Sequence, residues 1–72
     1  MVIISLKNRT KILAMIAKNG KNLNSFADEI GISSGYLSQI LSGKKNPSPK
    51  IAHKIAKGIG VNLEEVFLIK VN

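Results

Sequence analysis

Few side chains in this sequence could do covalent or acid–base chemistry, and they are poorly placed for it. There is one histidine, His53, and no cysteine; the four acids fall as two adjacent pairs, Asp28 with Glu29 and Glu64 with Glu65. General acid–base catalysis needs titratable groups that converge in a pocket, whereas these pairs read as charges at helix ends. His53 stands among Lys50, Lys54 and Lys57 without a partner at a metal-ligand spacing. With no thiol there is no disulfide, zinc–thiolate site or redox couple. The expectation is a protein that is not an enzyme, with no cofactor, no metal and no evident small-molecule ligand. What remains is hydrogen-bonding chemistry, concentrated in residues 33–43, SSGYLSQILSG. Leu37, Ile40 and Leu41 are spaced i, i+3, i+4, one stripe of a helix. Ser34, Gly35, Ser38 and Gln39 point the other way, small, polar and uncharged, with Tyr36 at the edge. Such a face is suited to being read against a partner.

Charge narrows the partner. Eleven Lys and Arg against four Asp and Glu leave a net charge of +7 on 72 residues, which favours a polyanion; the plainer reading is that the lysines keep a small protein in solution. A chain of this length buries only about 60% of its unfolded surface, so it supports one compact core. The apolar leader Met1 to Leu6 is too short for a membrane span and lacks the basic front of a signal peptide. A cytoplasmic protein, bacterial or phage-encoded and associated with the nucleoid, is expected, with no membrane partner.

The elements that must position the polar face follow from periodicity and stop signals. Residues 2–6 are β-branched and apolar and predict a strand; the other segment of that character, residues 66–71, predicts its antiparallel partner, the alternative being two frayed ends. Helices are predicted at about 8–19, 23–30, 34–42, 49–59 and 63–67. Ile12, Leu13, Ile16 and Ala17 form the apolar stripe of the first. Leu23, Phe26, Ala27 and Ile30, and again Ala52, Ile55, Ala56 and Ile59, repeat the full i, i+3, i+4, i+7 template. Gly20, Gly31, Gly43 and Gly60 supply the stops. Ser48 caps a helix that opens on Pro49, and Asn62 with Glu65 forms a capping-box pattern. The second and third helices, joined by a tight turn at Gly31, make a helix-turn-helix arrangement within a single domain, 1–72.

Taken together, the FA-x-x-IG-IS turn, the L-S-x-I-x-SG third helix, the NPS after the basic loop and the IA-x-x-x-GV-x-L-E-x-x-F ending resemble the Cro and lambda-repressor-like (Xre-type) helix-turn-helix family, over roughly residues 8–67. The resemblance implies an all-α, five-helix domain with the terminal ribbon added, and double-stranded DNA as partner. It implies that the third helix enters the major groove and that Ser34, Gly35, Ser38 and Gln39 face base edges. A glutamine carboxamide there can bond bidentately to adenine. Asn22, Tyr36, Ser42, Lys44 and Lys45 are implied phosphate or positioning contacts, to which Lys50 adds at the start of the fourth helix. Gly35 reads either as close backbone approach to DNA or as a tolerated surface glycine. Tyr36 reads either as a contact to a phosphate or thymine methyl or as rim packing.

Two positions depart from the family pattern. Leu23 stands where many members carry a phosphate-gripping glutamine, and Ile16 and Leu41 stand where many pair an arginine with a glutamate. An apolar pair replaces a buried ion pair at little cost when both partners change together, so Ile16 and Leu41 are expected to touch in the core. The function expected is a sequence-specific transcriptional regulator, a repressor acting as a homodimer on a pseudo-palindromic operator, with Phe67, Leu68, Ile69 and Val71 as the dimer surface. The rival is a protein-interaction module, an antitoxin-like or anti-repressor partner for which DNA is secondary or absent.

Overall fold

The computed structural model describes all residues, Met1–Asn72. The chain runs β1 (Val2–Leu6), α1 (Arg9–Lys18), α2 (Leu23–Ile30), α3 (Ser34–Leu41), α4 (Pro49–Ile59), α5 (Leu63–Val66) and β2 (Phe67–Val71). No helix is long and apolar enough to cross a membrane.

Helices α1 to α4 begin where a side chain takes up a first-turn N–H and end where the backbone can turn away. Asn8 Oδ1 accepts from the Lys11 N–H at 3.0 Å, so Asn8 lies just outside α1 as its cap. Ser48 Oγ accepts from the Ile51 N–H at 3.3 Å, ahead of Pro49. At the start of α5 the Asn62 N–H donates to Glu65 Oε2 at 2.7 Å, the Glu65 half of the expected capping box, while the Glu65 N–H donates to the Asn62 backbone carbonyl at 3.0 Å. A second box, which the sequence did not announce, opens α2: the Ser25 N–H donates to Asn22 Oδ1 at 2.8 Å, and the Asn22 N–H donates to Ser25 Oγ at 3.0 Å. Gly31 ends α2 with φ of 80°, a left-handed conformation in which a Cβ would be strained.

The two chain ends pair as an antiparallel ribbon, in register from Val2 opposite Val71 to Leu6 opposite Phe67. Backbone bonds close it at both extremities: the Lys7 N–H donates to the Val66 carbonyl at 2.8 Å, and the Asn72 N–H to that of Met1 at 3.0 Å. Val66 closes α5, so β2 starts at Phe67, one residue later than periodicity indicates.

One core of buried apolar side chains joins the layers: Ile4 from the ribbon, Ile12 and Ile16 from α1, Phe26, Ala27 and Ile30 from α2, and Leu37, Ile40 and Leu41 from α3. α4 adds Ala52, Ile55 and Ile59, and Val66 with Phe67 closes it. No polar or charged side chain is buried. The stripe of α1 differs from the expected one, because Ala17 is exposed and the half-buried Met15 packs against the core instead. With Ile12 and Ile16 facing inward, a residue at 15 lies nearer the core side of the helix than one at 17. α4 lies close to α2 at Gly58, where a Cβ would fall 2.8 Å from Phe26 Cε1.

Candidate nucleic-acid interface

The two halves of α3 follow from its core stripe. Leu37, Ile40 and Leu41 are sealed inside, and the remaining angular range of the helix carries Ser34, Gly35, Ser38 and Gln39, all exposed. The Ser33 hydroxyl accepts from the Tyr36 N–H at 3.1 Å and anchors the first turn. Gly31, the half-buried Ile32 and Ser33 make a three-residue turn from α2, closed by the Ile32 N–H donating to the Ala27 carbonyl at 3.0 Å. The helix is thereby held on α2 with its polar side outward. The side chains of Ser34, Ser38 and Gln39 make no hydrogen bond within the chain. Their donors and acceptors are free for a partner.

The flanking residues sort into distinct states. The Asn22 side-chain oxygen is committed to the α2 cap, but its Nδ2 donors are free. Tyr36 is half-buried and packs against the core with part of its ring. The Ser42 hydroxyl donates to the Gln39 carbonyl at 3.1 Å, so its proton closes the helix. After Gly43, the Lys44 and Lys45 N–H groups both donate to the Gln39 carbonyl, at 3.0 and 3.2 Å, which fixes the backbone of the basic loop against the end of α3. Their side chains, with that of Lys50, are exposed and unpaired, while Pro47 is buried and pins the loop.

Most of the positive charge is uncommitted. Lys11 pairs with Glu65 at 3.2 Å and Lys21 with Glu29, so eleven cations less two leaves nine with no carboxylate partner. The Asn62 N–H, then the Lys11 ammonium, hold the Glu65 carboxyl below the ordinary glutamate range.

Leu23 is half-buried and packs against the core, so it offers nothing to a phosphate. Ile16 and Leu41 are both 3% exposed members of one apolar cluster. One proposed residue has to be withdrawn from the dimer surface: Phe67 is 1% exposed, locked in the monomer core, whereas Leu68, Ile69 and Val71 are 52%, 45% and 74% exposed. Phe67 is opposite Leu6 at the body end of the ribbon, and only the residues beyond it run clear of the core. An open surface dish brings His53, Lys57 and Glu64 to one place, a grouping that sequence spacing did not indicate. No hydrogen bond links their side chains, and no cluster of three or more metal-ligating residues forms.

A helix-turn-helix family model matches residues 12–66, well over half of the chain. The chain belongs to the Cro and lambda-repressor-like (Xre-type) helix-turn-helix family. An uncharacterized helix-turn-helix-type transcriptional regulator of Methanocaldococcus jannaschii is 35% identical over 63 residues, 88% of this chain and 92% of its own. The control protein C.MunI of a Mycoplasma species is 38% identical over 50 residues, 69% of this chain and 68% of its own. A crystal structure of a candidate DNA-binding protein from Bacteroides fragilis has the same fold, with a TM-score of 0.67 at 20% identity over 94% of this chain and 100% of that one. As a helix-turn-helix regulator by family, the chain is a DNA-binding protein, and α2 and α3 are its helix-turn-helix pair.

Proposed function

We propose that the protein is a sequence-specific transcriptional repressor that binds a pseudo-palindromic operator as a homodimer, with α3 in the major groove. The observation that carries this reading is the outward face of α3: side chains of Ser34, Ser38 and Gln39 that are exposed and hydrogen-bonded to nothing in the chain. Unused hydrogen-bonding groups on the outward face of a helix match what base edges in the major groove require. Gln39 is the principal reader, through a bidentate contact to adenine. Lys44, Lys45 and Lys50, with the free Asn22 amide, hold phosphates and fix the register. Asn22 takes over part of what a glutamine at position 23 does elsewhere in the family. Tyr36 and Ser42 support the contact surface from its edge.

The dimer forms through the ribbon, where Leu68, Ile69 and Val71 leave apolar surface uncovered. Val2 and Met1 extend that surface, at 48% and 84% exposed. The protein works in the cytoplasm, on nucleoid DNA. A second reading, a module that binds another protein with DNA secondary, is favoured by Leu23 turning inward and by the absence of any arginine or lysine on the α3 face.

Salt separates the two readings. A DNA binder with about 5 phosphate contacts per subunit loses roughly 10²- to 10³-fold in affinity between 50 and 200 mM salt for each subunit engaged, and Lys44→Ala lowers the slope of log affinity against log salt by about 1 while weakening all sequences alike. Affinity for duplex DNA that is flat with salt, or unchanged in Lys44→Ala, contradicts the repressor reading and favours the interaction module.

A further inference from the structure

The ribbon has a covered side and an open one. Side chains alternate between its two faces, and the register sets Ile4 across from Ile69 and Leu6 across from Phe67 on the face turned to the core. On that face Ile4 is 4% exposed, whereas Ile69 beside it is 45% exposed. The body therefore lies under β1, and β2 overhangs it. The opposite face carries Ser5, Leu68 and Lys70, with Leu68 52% exposed. Uncovered apolar side chains thus stand on both faces of β2, and what Leu68, Ile69 and Val71 share is the outer edge of the strand.

Backbone bonds show which groups that edge presents. Met1 and Asn72 exchange both bonds: the Asn72 N–H donates to the Met1 carbonyl at 3.0 Å, and the Met1 ammonium to the Asn72 carbonyl at 3.3 Å. Bonded and non-bonded pairs alternate along an antiparallel ladder. Ile3 with Lys70 and Ser5 with Leu68 are therefore the bonded pairs, and the N–H and C=O groups of Ile69 and Val71 point away from β1. Phe67 turns its carbonyl the same way, while its N–H donates to the Leu63 carbonyl. No backbone bond outside the ribbon reaches Ile69 or Val71. The edge lacks the proline, bulge or charges that guard exposed edges against pairing: its register is unbroken and its one charge is Lys70.

This edge is complementary to itself. About a two-fold axis at Ile69, antiparallel apposition lets Ile69 exchange both bonds with the partner's Ile69 and brings the Val71 N–H to the partner's Phe67 carbonyl. Lys70 then lies across from the partner's Leu68, which its aliphatic stem can cover. Moving the axis one residue on, to Lys70, sets two lysines directly opposite each other and leaves Phe67 unpaired. A surface patch that matches its own copy is what a two-fold dimer requires, and each body, lying under β1, is set back from the shared edge. We infer that β2 pairs edge to edge with β2 of a second copy, antiparallel in the register centred on Ile69, so that two ribbons join into one four-stranded sheet. The inference rests on the homodimer proposed above and assigns its contact to a backbone edge and a register.

The test uses the full chain. Sedimentation equilibrium gives the dimer dissociation constants of wild type, Ile69→Ala and Ile69→Pro, with circular dichroism and thermal unfolding of each. Proline at 69 removes an N–H that the monomer does not use, the kind of position at which edge strands accept it; alanine removes the same apolar side chain and keeps the N–H. Wild type should be a dimer, and Ile69→Pro should dimerise roughly tenfold more weakly than Ile69→Ala, since symmetry removes the bond twice. The chain has no cysteine, so single-cysteine variants report the register independently and decide the matter alone if Ile69→Pro fails to fold. Under oxidation Ile69→Cys should form a disulfide-linked dimer and Lys70→Cys should not, because its two Cα atoms would lie beyond the roughly 7 Å that a disulfide spans. Equal dimerisation by folded Ile69→Pro and Ile69→Ala overturns the inference and leaves the homodimer on another surface. Cross-linking through Lys70→Cys and not through Ile69→Cys overturns it as well. A wild type that stays monomeric, alone and on operator DNA, overturns the inference and the homodimer together.

Discussion

Single residues do much of the joining in a domain this small. Glu65 is one: its carboxylate accepts from the Asn62 N–H that opens α5 and from Lys11 on α1, and these two contacts hold its pKa below the ordinary glutamate value. A carboxyl depressed in the folded state adds stability that is present above the ordinary glutamate range and lost as pH falls through the lowered value. Glu65→Gln should therefore be less stable than wild type at neutral pH. The difference should shrink as pH falls and vanish once the wild-type carboxyl is protonated, as read from urea midpoints at several pH values. A gap that is constant with pH contradicts this. The capping box at Asn62 and Glu65 was legible because an acid three residues after a cap is a strong local signal, whereas Ser25 plays the same part toward Asn22 and resembles any other helix serine. Phe67 shows the limit in another form. Composition marks it as an apolar strand residue, but whether such a residue lies under the ribbon or on its open end depends on where the body stops, which no local pattern records.

At the scale of elements, the helices were readable because core stripe, cap and stop agreed with one another; α2 and α4 carry the full template and bury it. Contacts between elements were less readable. That Gly58 lets α4 approach Phe26 of α2 depends on how the two helices cross, which the periodicity of either alone does not contain. The α1–α3 relation was accessible only through the family pattern, which makes Ile16 and Leu41 stand in for a charged pair. Both are buried in the one cluster. Ile16→Arg alone should cost about 3–5 kcal/mol, since it leaves an unpaired charge in the core, and Leu41→Glu added to it should recover a substantial part. Chemical denaturation of the two single variants and the double variant measures this; a double variant no more stable than the sum of the singles predicts places the side chains apart.

For the whole molecule, the ribbon joins residues at opposite ends of the chain. Their β character was visible, but register and burial came from docking against α5 and the core. The same ribbon carries the exposed Leu68, Ile69 and Val71, so the element that closes the monomer is also the one proposed to make the dimer. The α3 face has no cation of its own, so on the proposed reading its discrimination would rest on amide and hydroxyl contacts, and its affinity on the flanking lysines and on two subunits acting together. The central claim, that α3 reads bases through Gln39, is tested most directly by selecting bound sites from random duplex DNA with wild type and Gln39→Ala in parallel. Wild type should recover an inverted repeat whose half-sites lie about one DNA turn, roughly 34 Å, apart, and Gln39→Ala should recover the same repeat with discrimination relaxed by about 1–3 kcal/mol at a single A·T pair per half-site. No enriched sequence with wild type, or an identical motif from both proteins, would contradict the claim.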